Sequence, residues 1–152
     1  FYELGGHFLQ QVACSPYLGV TLSEDLTWTK HIDNITSKAN STIGFLRRNL
    51  RCCPRECRRT AFISLVRSTV EYSSIVWDPH LQGDIHKLEK VQKRAARFIT
   101  QNYKDRTPGC VTKMLKDLTS NLPTLQERRQ QLRLVFFYKI VKGHIPALTA
   151  KE

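Results

Sequence analysis

One spacing restricts this chain more than any other feature. Ile32, Ile35, Ala39, Ile43, Leu46 and Leu50 follow one another at steps of three, four, four, three and four. Those steps hold apolar side chains on one face of an α-helix, so they predict a helix of about 22 residues from Thr29, roughly 33 Å long at 1.5 Å per residue. Thr27 or Thr29 is a candidate cap for it. A helix with one long apolar face must be covered, and the same period supplies the cover. Ile85, Leu88, Val91, Ala95, Phe98 and Ile99 form the inward stripe of DIHKLEKVQKRAARFITQN, and Leu125, Leu132, Val135, Phe136 and Ile140 form that of a last long helix after Pro123. Gly143 is placed to stop that helix. Pro54 opens a further helix reaching about Val66, since a missing N–H costs little at a helix start. A shorter piece, STVEYSSIVW, ends before Asp78-Pro79, and VTKMLKDL follows the turn at Thr107-Pro108-Gly109.

The first 22 residues carry no such period. FYEL, Gly5-Gly6 and HFLQQV read as a tight hairpin, because paired glycines readily supply positive φ. ACSP breaks the pattern, and YLGVTL reads as a third short strand with Val20 and Leu22 on one face. Gly19 within it marks either a bulge or a close approach by backbone or ligand, or else packing against a neighbouring helix. The predicted fold class is mainly α, a helical bundle preceded by a small N-terminal antiparallel β element. The divisions fall at residues 1–22, 23–106 and 107–152.

Charge is distributed unevenly over these elements. The chain of 152 residues has net charge +11, yet residues 1–28 contain no Lys or Arg and carry −3. Residues 29–59 carry +6, 60–80 carry −1, 81–106 carry +4 and the remainder +5. Basic charge arriving in separate helical stretches is the pattern of a folded polyanion-binding surface, whereas a disordered tail shows one unbroken run. No apolar run approaches the roughly 20 residues of a membrane-spanning helix. Met114 is the only methionine, so the chain is expected to be a piece of a longer protein.

Catalytic chemistry has little support. There is no GxSxG elbow, P-loop or HExxH, and the five histidines are scattered without an acid or cysteine at catalytic spacing. A two-metal site needs clustered carboxylates, and Glu24-Asp25 reads as an ordinary turn before a helix. Cys53 and Cys57 with His80 or His86 offer metal donors, but not at the spacing of a tetrahedral zinc knuckle. Five cysteines, an odd number at irregular intervals, argue against a disulfide framework and for a reducing compartment.

The densest local feature is RRNLRCCPRECRR. Arg47, Arg48, Arg51, Arg55, Arg58 and Arg59 fall within thirteen residues, opposed only by Glu56. Guanidinium forks meet phosphate oxygens in a bidentate way that lysine does not reproduce, so the six are candidate phosphate contacts; the competing reading is a solvated helix face. Lys87, Lys90, Lys93, Arg94 and Arg97 form a second basic face, with Lys93, Arg94 and Arg97 its candidate contacts, tempered by a helix-stabilising Glu89–Lys93 spacing. Arg128, Arg129 and Arg133 are weaker candidates because Glu127 lies alongside. Aromatic residues do not interleave with these arginines in a stacking pattern, and Trp28, Trp77 and Tyr72 read as core anchors.

Taken in order, YLGVTLSEDLTWTKHI, IGFLRRNLR, LVRSTVEYSSIVWDPH, LEKVQKRAARFI and LQERRQQLRLVFFYKIV resemble the C-terminal part of a non-LTR retrotransposon reverse transcriptase of the jockey-like LINE kind. The resemblance covers nearly the whole chain. It implies that residues 1–22 resemble the end of the palm, 23–106 the thumb that rests on the template–primer duplex, and 107–152 a C-terminal helical extension. It further implies that the hairpin around Gly5-Gly6 and Tyr17, Leu18 and Gly19 approach the primer strand while the Arg47 to Arg59 cluster lies on the thumb. The aspartate motif of such a palm, of the Tyr/Phe-Ala-Asp-Asp type, is not in this sequence. Magnesium ions are expected only in the missing palm, so no cofactor and no catalytic residue is expected here. The implied partners are an RNA/DNA template–primer duplex and the missing palm and fingers, with no membrane, in an intracellular nuclear and cytoplasmic ribonucleoprotein. The alternatives are a stand-alone helical nucleic-acid-binding module derived from such an element, or a helical interaction module whose basic faces dock an acidic partner.

Overall fold

The computed structural model describes residues 2–8, 10–105, 107–118 and 123–145. Two small antiparallel hairpins, β1 (Glu3–Leu4) with β2 (His7–Phe8) and β3 (Cys14–Tyr17) with β4 (Val20–Ser23), precede helices α1 (Thr29–Asn49), α2 (Arg55–Ala61), α3 (Ser68–Glu71), α4 (Gln82–Thr100), α5 (Cys110–Leu118) and α6 (Leu125–Val141). A π-helical stretch, Phe62–Arg67, joins α2 to α3. The chain is mainly α with an N-terminal β element, as its periodicity predicts.

The core is the seam between α1 and α4. Ile32, Ala39, Ile43 and Leu46 of α1 meet Leu88, Val91, Ala95, Phe98 and Ile99 of α4, all buried. Phe62, Val66 and Val70 cover one side of this pair, and Trp77 fills the end beside His31. Each fully buried side chain of this kind stabilises the fold by about 1.5–3 kcal/mol relative to exposure. Polar contacts pin the register: Thr29 Oγ1 donates to Asp84 Oδ2 at 2.8 Å, and Lys87 reaches Asp33 at 2.6 Å and Asp84 at 3.1 Å.

Several local expectations are corrected. YLGVTL is not one strand: Tyr17 ends β3, Leu18 and Gly19 make the turn, and Val20 begins β4. Val20 is buried but Leu22 is exposed, so the two do not share a covered face. Neither threonine caps α1; Trp28 holds the N-cap position without a side-chain bond, because Thr27 is drawn to Asp25, and Thr29 to Asp84. STVEYSSIVW is helical only to Glu71, where Tyr72 turns extended and frees its carbonyl for Trp77 Nε1 at 2.9 Å. Tyr72 itself is exposed, unlike the core residue Trp77.

α6 departs furthest from its pattern. Thr124 and Glu127 close a reciprocal capping box, and Gly143, at φ 68°, ends the helix by bonding Ile140 O while His144 N bonds Lys139 O. Between those ends only Leu125 and Arg129 are buried; Leu132, Phe136 and Ile140 are half-buried, and Val135 is exposed. Leu134, Phe137, Tyr138 and Val141 are exposed as well. Among the described residues the predicted stripe is only partly covered.

His31, 2% exposed, joins β4 to the core. Its Nδ1 accepts the Thr21 N–H at 3.2 Å, so the neutral ring carries its proton on Nε2, and its ring stands edge-on to Trp77 at 5.0 Å. Burial pushes its pKa below the ordinary 6.5. A His depressed on folding contributes stability that is full above the unfolded pKa and declines as pH falls below it. The denaturation midpoint should therefore drop between pH 7.5 and 5.5, and His31→Asn, which keeps an acceptor for Thr21, should flatten that drop. An equal wild-type midpoint at both pH values would refute this role.

Candidate nucleic-acid interface

α1 and α4 each present a second stripe beside the buried one. On α1, Asn40, Gly44, Arg47 and Arg48 recur at helical spacing, with Arg51 in the turn just beyond its end, and on α4 Arg94 and Arg97 lie beside the buried Phe98. Because the apolar seam locks the two helices together, these stripes face each other across a groove. Arg47, Arg48, Arg51, Gln101 and Tyr103 line a cavity of about 770 Å³. Arg47, Arg94, Arg97 and Tyr103 line an adjoining one of about 320 Å³. Gly44 and Phe98 belong to both. Arg47, Arg48 and Arg51 of the first cluster and Arg94 and Arg97 of the second, more than 40 residues apart in sequence, thus meet on one surface.

Tyr103 was not singled out by sequence. α4 ends at Thr100, two residues before its predicted limit, and Gln101 adopts a left-handed φ of 56°. That residue reverses the chain and brings Tyr103 under Arg47, whose guanidinium carbon lies 4.2 Å from the ring centroid. The Gln101 amide donates to Arg51 O, tying the reversal to the end of α1. Aromatic residues do not interleave with the arginines along the chain, yet Tyr103 stands beside Arg47 in space.

Arg58 is corrected. It is 8% exposed, and its Nε donates to Ile99 O at 3.0 Å while Nη1 donates to Cys53 O. It ties the α1–α2 turn to the end of α4 and has no fork left for phosphate. Arg55 and Lys93 are exposed and Arg59 is half-buried, and none of the three lines either cavity. Among the described residues no carboxylate lies within 4 Å of Arg47, Arg48, Arg51, Arg94 or Arg97. Asp105 feels the charge of Arg97, but its carboxylate is held below its ordinary range first by hydrogen bonds from Thr107.

The arginines of α6 are occupied, though not by Glu127, which is spent on the capping box. Arg128 pairs with Glu71 at 3.0 Å, and Arg129 and Arg133 pair with Asp78 at 3.1 and 2.7 Å. Arg67 completes the set with Glu71 at 2.7 Å. Burial would push the Glu71 carboxyl up, yet hydrogen bonds from Arg128 and Arg67 outweigh it and hold it below the usual range.

Tyr17, Leu18 and Gly19 lie elsewhere. Leu18 at φ 46° and Gly19 at φ 83° form a two-residue turn with both central residues left-handed. Tyr72 fastens it: its hydroxyl donates to Leu18 O at 3.0 Å, and its ring lies 3.1 Å from where a Gly19 Cβ would stand. Beneath the turn a cavity of about 570 Å³ is lined by Thr21, His31, Asn34 and Lys38. Asn34 and Arg47 are separated by roughly 20 Å along α1, at 1.5 Å per residue. The turn and the groove are therefore two stations on one helix. Among the described residues no three His, Cys, Asp or Glu side chains gather to hold a metal ion, and all five cysteines are free thiols.

Arg58→Gln should lower stability by about 2 kcal/mol through its lost charge-assisted bonds, whereas Arg55→Gln should change it by under about 0.5 kcal/mol; urea unfolding checks both, and equal effects would place Arg58 at the surface. Gly19→Ala should cost about 1–2 kcal/mol, from the left-handed backbone and the Tyr72 contact, with the same measurement deciding.

Set beside protein-family models, curated proteins and solved structures, the chain matches none of them.

Proposed function

We propose that this chain is the thumb-like, duplex-holding part of a non-LTR retrotransposon reverse transcriptase. The observation that carries the reading is the division of its arginines. Arg58, Arg67, Arg128 and Arg129 are committed to carbonyls and carboxylates, while Arg47, Arg48, Arg51, Arg94 and Arg97 line adjoining cavities without an acid partner among the described residues. A groove of uncompensated guanidinium groups favours a polyanion, and phosphate contacts position a duplex without reading its sequence. An RNA–DNA hybrid held by its shape and backbone suits such a surface. The turn at Tyr17, Leu18 and Gly19 would tend the primer terminus about 20 Å along α1. Polymerisation would belong to a palm outside this chain, with its magnesium ions, and this chain by itself would be inactive.

Palm and fingers are the proposed protein partners. The exposed apolar residues of β1–β2 and α6, among them Phe8, Leu134 and Phe137, supply surface for such packing. They also favour the second reading, a helical interaction module derived from such an element. No helix among the described residues is long and apolar enough to cross a membrane, and the proposed setting is a nuclear and cytoplasmic ribonucleoprotein.

Fluorescence anisotropy with a blunt RNA–DNA hybrid, repeated over a salt series, tests the reading. Neutralising about four phosphates gives a slope near −3 to −4 in log affinity against log salt. Replacing Arg47, Arg48, Arg51 and Arg94 together by Gln should weaken binding at least tenfold and flatten that slope, with the circular dichroism spectrum unchanged. Binding that ignores salt, or that survives the fourfold replacement, would overturn the assignment.

A further inference from the structure

The groove between α1 and α4 offers more than a rail of charge. Its floor is Phe98, buried and apolar, and its wall is the Tyr103 ring with Arg47 above it at 4.2 Å. Its mouth carries Arg48 and Arg51. Gly44 lines that space. A Cβ there would meet only the Arg48 Nη1 atom, at 3.7 Å, so the helix surface is open at that point rather than packed. Glycine is a poor choice inside a 21-residue helix, and what it leaves here is room.

A paired duplex does not use such a recess. Its bases are stacked and turned inward, and it presents phosphates to a protein surface. An apolar floor with an aromatic ring and a guanidinium plane matches the face of an unstacked base. The volume of about 770 Å³ is that of a small-molecule site. We propose that this groove is a nucleotide pocket that takes one unpaired nucleobase with its 5′-phosphate. The base lies against Tyr103 and Arg47, and the phosphate lies on Arg48 and Arg51. This rests on the nucleic-acid reading above and narrows it: the groove grips the single-stranded nucleotide next to a duplex and not the duplex alone. The same chemistry would accept a free nucleotide, so the test separates the two sources.

The full chain is titrated with three probes: a blunt RNA–DNA hybrid, the same hybrid with a three-nucleotide overhang bearing 2-aminopurine, and AMP. The expected result is binding of the overhang hybrid about tenfold tighter than the blunt one, with 2-aminopurine emission quenched. Tyr103→Ala should bring the two affinities together, and Tyr103→Phe, which keeps the ring, should preserve the preference. Gly44→Leu, which fills the floor while favouring helix, should abolish it with an unchanged circular dichroism spectrum. Equal affinity for blunt and overhang hybrids overturns the pocket while leaving the duplex reading standing, and so does a preference that survives both Tyr103→Ala and Gly44→Leu. Binding of AMP without either hybrid supports the pocket as a free-nucleotide site and overturns the duplex reading. Failure of all three probes overturns both.

Discussion

The apolar seam between α1 and α4 is the contact on which the rest depends. Burying Ile32, Ala39, Ile43 and Leu46 against Leu88, Val91, Ala95 and Phe98 fixes how far one helix slides along the other. That register decides which basic residues of α4 stand opposite Arg47, Arg48 and Arg51. Gathering five guanidinium groups is unfavourable in itself, yet modestly so at a wet surface: two unit charges 8 Å apart repel by about 0.5 kcal/mol in water. Several such pairs together cost no more than one or two buried side chains contribute. The seam can hold the groove open with its charge unbalanced.

Some arginines here are tied to carbonyls or acids, while others have no acid partner among the described residues. Arg58 and Arg129, 8% and 1% exposed, are structural ties whose charge is answered by carbonyls of a helix end or by Asp78. Arg67 and Arg128 converge on Glu71, and Arg133 joins Arg129 on Asp78. In this way the two acids of VEYSSIVWDP receive arginines from the π-helical stretch and from α6, and they anchor the start of α6 while its remaining turns stand exposed. The same segment also reaches the β element, since Tyr72 secures the Leu18–Gly19 turn and Trp77 backs His31 under Thr21. One irregular stretch after α3 thus touches the β element, the core and the start of α6.

Much of the fold is legible in the spacing of apolar residues. The long helices α1 and α4, the brief α5, the Gly5-Gly6 hairpin and the helix stop at Gly143 are all local matters, governed by periodicity, by positive φ and by the missing N–H of proline. Local rules mislead where a partner elsewhere outbids them. Thr29 is a good cap by type, but Asp84 takes its hydroxyl. Leu132, Val135 and Phe136 form a helical stripe, but among the described residues Leu132 and Phe136 are only half covered and Val135 is exposed.

The sequence by itself determined a basic, mainly helical chain with a short β preface and two dense arginine clusters. Only the tertiary structure decided that Arg58 is an internal tie, that Arg94 and Arg97 join Arg47, Arg48 and Arg51, and that Tyr103 enters their midst through a left-handed residue at Gln101. The physical reason is one of range. Helix periodicity and turn preference are settled within a few residues, whereas a groove is made by two surfaces whose alignment is set by packing between segments about 50 residues apart along the chain.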